Sequence, residues 1–171
     1  MKNFALLTTL LTLCFLAPKC QHSGTSPNVP PEQAVQARRT IVNYLECEEC
    51  RSGEAEAVVK LGQLAVPTLA ATLLEGPPQT NVEVLRRHLT ARYRELKEYE
   101  RTNPAVKVPG SEQQFVTFYS DNYVAGYRLR AATALGLIGG PEARRALEEA
   151  SRMTLRNDVV TAVKMTLEKM K

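Results

Sequence analysis

The 171-residue chain has no tryptophan, two histidines and two aspartates, and aromatic residues make up only 6% of it. Each scarcity excludes something. With His22 and His88 as the only imidazoles there is no histidine-rich metal cluster, and no nucleophile-and-base set stands out. No glycine-rich loop of the phosphate-cradling kind occurs. The two aspartates, Asp121 and Asp158, stand where helix caps would suffice to explain them. Clusters of β-branched residues are few while Ala, Leu, Glu and Arg abound, a composition that favours helix. The expectation is an all-α protein with no catalytic residues, no metal and no cofactor.

Long apolar runs are missing too, except at the start. Met1, Lys2 and Asn3 lead into the uncharged stretch from Phe4 to Leu16, which stops before Pro18 and falls short of the about 20 residues a spanning helix needs. It reads as a secretory signal over 1–20. Cys20 is the candidate acceptor for a lipid, although Lys19 before it departs from the lipoprotein pattern of small residues. Removing Lys2 and Lys19 with the signal leaves 20 basic against 18 acidic residues, too even a balance for a nucleic-acid-binding domain. Residues 21–32 are polar and rich in Ser, Gly and Pro, as in a flexible tether. Residues 33–171 are expected to form one helical domain.

Helical periodicity recurs along that domain. Ala34, Ala37, Ile41, Tyr44 and Leu45 mark a first helix. Residues 54–64 and 66–76 read as a helical hairpin, with Pro67 opening its second helix and Gly76 before two prolines closing it. A longer helix carries Val82, Leu85, Leu89, Tyr93 and Leu96. Ser111 and Gln114 form an expected capping box, after which one helix, or two with a break near 120–126, runs to Ile138. Two more helices follow, the last with Val159, Val160, Val163, Leu167 and Met170 inward.

The stretch "LGQLAVP" at Leu61–Pro67 returns 74 residues later as "LGLIGGP" at Leu135–Pro141. In the same register Ala57 meets Ala131, Leu73 meets Leu147 and Glu75 meets Glu149. A glycine near the end of one helix and a proline opening the next is a reused supersecondary unit. The segments "LGQLAVPTLAATLLE" and "RLRAATALGLIGGPEARRALEEA" resemble HEAT repeats, most closely the short type of bacterial HEAT-like and phycobilin-lyase-related proteins. The resemblance implies a short α-solenoid of about three HEAT-like helical hairpins plus flanking helices. The middle unit, Val82 to about Ser120, lacks the Leu-Gly and Pro signature and departs from the pattern.

Cys47 and Cys50 form a CxxC that admits three readings: a structural disulfide, a redox pair or half of a metal site. Glu46, Glu48, Glu49 and Glu54 surround it and raise thiol pKa values, against Arg51 alone. Zinc would need two more ligands from His22, His88 and Cys20. In an exported chain a structural disulfide is the expected role.

Five aromatics, Phe115, Phe118, Tyr119, Tyr123 and Tyr127, crowd one stretch. The phenylalanines and Tyr119 read as core, while Tyr123 and Tyr127 with Arg128 and Arg130 are the candidate partner-binding set. The basic residues Arg86, Arg87, Arg92, Arg94 and Lys97 interleave with glutamates and read as a solvated face laced with ion pairs. The expected function is a non-catalytic protein–protein interaction or scaffold module, exported to the periplasm or outer cell envelope. A membrane tether through lipidated Cys20 goes with it, and the partner is another protein rather than a nucleic acid. A thiol–disulfide redox protein, or a cofactor- or chromophore-handling protein of the lyase-like HEAT kind, are the alternatives.

Overall fold

The computed structural model describes residues 30–47 and 52–170; the expected signal segment, nearly all of the tether, Cys20 and Cys50 lie outside them. Within the described residues the chain is all-α, with seven helices and no strand. They are α1 (Pro31–Glu46), α2 (Ser52–Leu61), α3 (Val66–Glu75), α4 (Gln79–Thr102), α5 (Glu112–Ile138), α6 (Pro141–Arg152) and α7 (Asn157–Lys169), with a 3₁₀ turn at Gly62–Leu64. Their side-by-side packing is compatible with a short solenoid.

Local chemistry explains most boundaries. Proline at the first or second position opens α1, α3 and α6, where its missing N–H leaves no bond unmade. The capping box at α5 forms: Ser111 Oγ accepts from the Gln114 N–H at 3.2 Å, and Gln114 Oε1 accepts from the Ser111 N–H at 2.8 Å. No break divides α5. Ser120, though buried, satisfies its hydroxyl by donating to the Val116 carbonyl at 2.8 Å, so the helix runs through. Asp121 therefore sits inside α5 rather than at a cap, while Asp158, in the first turn of α7, accepts from the Val159 N–H at 2.9 Å.

The second half of α5 is the spine. Ala125, Ala131, Ala132, Ala134 and Leu135 are all buried, and α1, α2, α3, α6 and α7 each pack against this helix. A helix apolar around most of its girth has to be surrounded, and alanine lets several neighbours approach at once. Ile41, Val58, Leu69, Leu73, Leu147, Val159 and Val163 fill the space between.

The two Leu-Gly units are direct neighbours. α3 packs on both α5 and α6, and the Gln63 amide donates at 3.1 Å to the Gly139 carbonyl, joining the two repeat loops. Within the first unit the chain turns through 107° between Gly53–Leu64 and Val66–Glu75. The middle segment does not lie between the units. α4 has α5 as its one substantial neighbour among the described helices, so α4 and the first half of α5 form an antiparallel arm closed by the loop at 103–111. None of the described helices is by itself long and apolar enough to cross a membrane.

The paired glycines of the repeat serve different ends. Gly62 has φ +56° with open space where a Cβ would stand, whereas Gly136 lies within α5 and a Cβ there would overlap Thr166 Cγ2 of α7. Gly136→Ala is expected to cost about 1–3 kcal/mol in urea unfolding through overpacking. Adding Thr166→Ser, which removes the overlapping methyl, should recover most of that loss. Gly62→Ala should cost about 1–2 kcal/mol through its left-handed backbone, and Thr166→Ser should leave that loss unchanged.

Candidate functional site

The four residues expected to meet a partner are turned inward. Tyr127 is 4% exposed; Tyr123, Arg128 and Arg130 are half-buried. Tyr123 donates to the Tyr127 hydroxyl at 3.1 Å, and Tyr127 donates to Glu46 Oε1 of α1 at 3.0 Å. Burial, then the bonds to Tyr123 and Glu46, push the Tyr127 phenol far above its ordinary range. Arg130 Nε donates at 2.8 Å to the Leu45 carbonyl in the last turn of α1, and its guanidinium lies 5.8 Å from the Tyr127 ring centroid. Arg128 Nη2 donates at 3.3 Å to the Leu74 carbonyl in the last turn of α3, and burial lowers its pKa. These side chains close helix ends and line no shared exposed surface.

The cysteine motif is described at one end only. Cys47 follows α1, half-buried against the core, with its sulfur 2.9 Å from the Tyr44 carbonyl oxygen. Among the described residues no three His, Cys, Asp or Glu side chains converge on a point that could hold a metal ion.

An exposed aromatic surface lies elsewhere, on the arm, apart from single open residues such as Val35 and Leu137 in the body. Phe118 is 61% and Tyr119 46% exposed, so the expectation that they are core is corrected. The reason is coverage. α5 is enclosed on several sides in its second half, whereas the stretch around Phe115 lies along α4. Tyr93 of α4 takes the inner position, 5.5 Å from the Phe115 ring and donating to the Gly110 carbonyl at 2.8 Å. Phe115 stacks on Tyr119 at 4.6 Å, and Phe118 meets Tyr119 edge-on at 5.2 Å. Leu96, Val106, Val108 and Phe115 line an open groove of about 490 Å³ with Phe118 and Tyr119 at its edge.

Charge surrounds this groove in near balance. Arg94 pairs with Glu112 at 3.1 Å, Arg101 with Glu98 at 2.6 Å and Lys97 with Glu100 at 2.5 Å, while Lys107 stands 3.8 Å from the same Glu100. Glu100 also accepts from the Val108 N–H at 3.4 Å, tying the loop to α4. The Lys97 hydrogen bond holds the Glu100 carboxyl below its usual range, with smaller contributions from the Val108 N–H and from Lys107. Nothing here resembles a nucleophile with its base; the arrangement can recognise an apolar surface.

The aromatic cluster was legible in the sequence, but its exposure was not: Phe115 packs inward as expected, Phe118 and Tyr119 are open, and Tyr127 is buried. Val106, Lys107 and Val108 read from sequence only as part of a Pro-bounded loop, with no role in a site. The available signal was the apolar pair inside a Pro-bounded loop facing an aromatic-rich helix start. No protein-family model matches the chain, and neither do the curated proteins or the solved structures compared with it.

Two outcomes test this geometry. Arg130→Met and Tyr127→Phe should each lower urea stability by about 1.5–3 kcal/mol, the range for hydrogen bonds that involve a charged group. The double variant should lose less than the sum, because the two side chains share contacts. For the loop, a depressed carboxyl contributes fully above the unfolded carboxylate pKa and is lost as pH falls through its lower folded value. The Val108 amide resonance should accordingly shift with a midpoint below the usual glutamate range, and Glu100→Gln should abolish that titration.

Proposed function

We propose that this protein is a non-catalytic protein–protein interaction module of the cell envelope, built on HEAT-like repeats and presenting its partner surface on the arm. The observation that carries the reading is the groove beside Phe118 and Tyr119: large aromatics left open on a rigid helical pair, next to a concave apolar site. The repeat body supports it by holding the arm at a fixed base, where Val124 and Arg128 of α5 stand against Gly76 ahead of α4. In this reading 1–20 directs export, Cys20 carries a lipid, and a Cys47–Cys50 disulfide pins the end of α1. The disulfide is favoured by the expected export signal, since an exported chain meets oxidising conditions.

The test is site-specific photocrosslinking in the intact envelope, with the photoreactive residue at Phe118 and, as control, at Thr161 on the outer side of α7. Discrete protein adducts from position 118 and none from 161 are expected. No adducts from 118, or the same pattern from both positions, would remove the arm from consideration. The intact mass of the purified protein reads the rest. An acylated chain without alkylatable thiols supports the anchored, bridged form, whereas an uncleaved chain with free thiols at Cys47 and Cys50 would favour the redox alternative.

A further inference from the structure

We propose that the partner of the arm is a second copy of this chain, the two arms pairing about a two-fold axis with each Phe118 seated in the other's groove. This rests on the reading of the arm as the interaction surface and goes on to name what occupies it.

Three observations lead there. The arm is a lone pair of antiparallel helices, whereas a helical pair becomes a closed core when a further pair covers its apolar face. Phe118 and Tyr119 stand at the edge of a groove walled by Leu96, Val106, Val108 and Phe115, so projection and recess occupy the same face. A two-fold contact requires that arrangement, because the patch has to be complementary to itself. Finally, the rim does not favour a partner of strong charge. Arg92, Arg94, Lys97, Arg101 and Lys107 stand among Glu95, Glu98, Glu100 and Glu112. An acidic or a basic segment, or an anionic lipid surface, would meet like charges wherever it met opposite ones. A second copy instead brings its own interleaved set, and a two-fold axis can place cations of one rim opposite carboxylates of the other. Size also fits: a helix of α4's 24 residues is about 36 Å long, enough to span an interface of ordinary extent.

Sedimentation velocity on the protein purified from its own envelope, over a wide concentration series, tests this. Reversible dimerisation is expected. Phe118→Asp should raise the dissociation constant by about 30-fold or more, as for the loss of a central aromatic anchor. Val106→Lys, placed in the loop and outside both helices, should do the same, so that a folding defect in either variant leaves the other informative. Val35→Asp, on an exposed face of α1, should change nothing. In mixed samples a spin label at Gln113→Cys on one chain should broaden the Val106 and Val108 amides of an isotope-labelled second chain. A monomer at every concentration, or a dimer indifferent to both arm variants, overturns the proposal. So does a monomer that binds anionic vesicles through Phe118. If position 118 still yields adducts in the envelope while the purified chain stays monomeric, the arm remains the interaction surface and only the identity of its partner is refuted.

Discussion

Arg128 and Arg130 hold the C-terminal ends of α3 and α1, and the body is arranged around that grip. Helix C-termini leave carbonyls without partners inside the helix, and neither α1 nor α3 has a basic residue of its own in the last turn. The donors come from α5 instead, to Leu74 and Leu45. Two residues along a helix correspond to about 200° of rotation, so side chains at 128 and 130 leave on different sides and draw in two different helices. Arg144 of α6 does the same for α7 through the Met170 carbonyl at 3.3 Å. Cross-helix arginines thus do the work that local capping residues do in more self-contained helices.

The grip explains why α5 has two halves of unlike character. From Ala125 onward small buried residues let neighbouring helices close in, and the hydroxyls of Tyr123 and Tyr127, ending on the Glu46 carboxylate, seal the junction with α1. Beyond Asn122, which still accepts from Arg156 ahead of α7, α5 runs toward its N-terminus along α4. Its aromatics are held by one another, by Tyr93 and by a loop anchored through Glu100. The main buried cluster is thus in the body, while Phe118 and Tyr119 on the arm remain uncovered.

Much of this was legible in the chain. The helical periodicity, the prolines that open helices, the capping box at Ser111 and Gln114 and the repeated Leu-Gly units all rest on short-range rules, and each appears where expected. Which aromatic and basic side chains stay exposed was less so. Phe118 and Tyr127 are nine residues apart, about two and a half helical turns, so they point to opposite sides of α5. Periodicity says that both cannot be core on one face, but it does not say which face is covered. Arg128 and Arg130 looked like exposed recognition residues because nothing near them in sequence needs a donor; the carbonyls they serve are 54 and 85 residues away.

The sequence by itself determined that the chain is helical, where most of its helices begin and end, and that one Leu-Gly to Pro pattern occurs twice. Those outcomes follow from backbone restrictions and from hydrogen bonds between residues a few positions apart. Only the tertiary structure decided that the two units touch directly, that the residues between them stand aside as an arm, and that Gly136 serves close approach to Thr166 while Gly62 serves a left-handed turn. Such choices depend on which surfaces meet across long stretches of chain. Equal local patterns therefore acquire different roles once their neighbours differ.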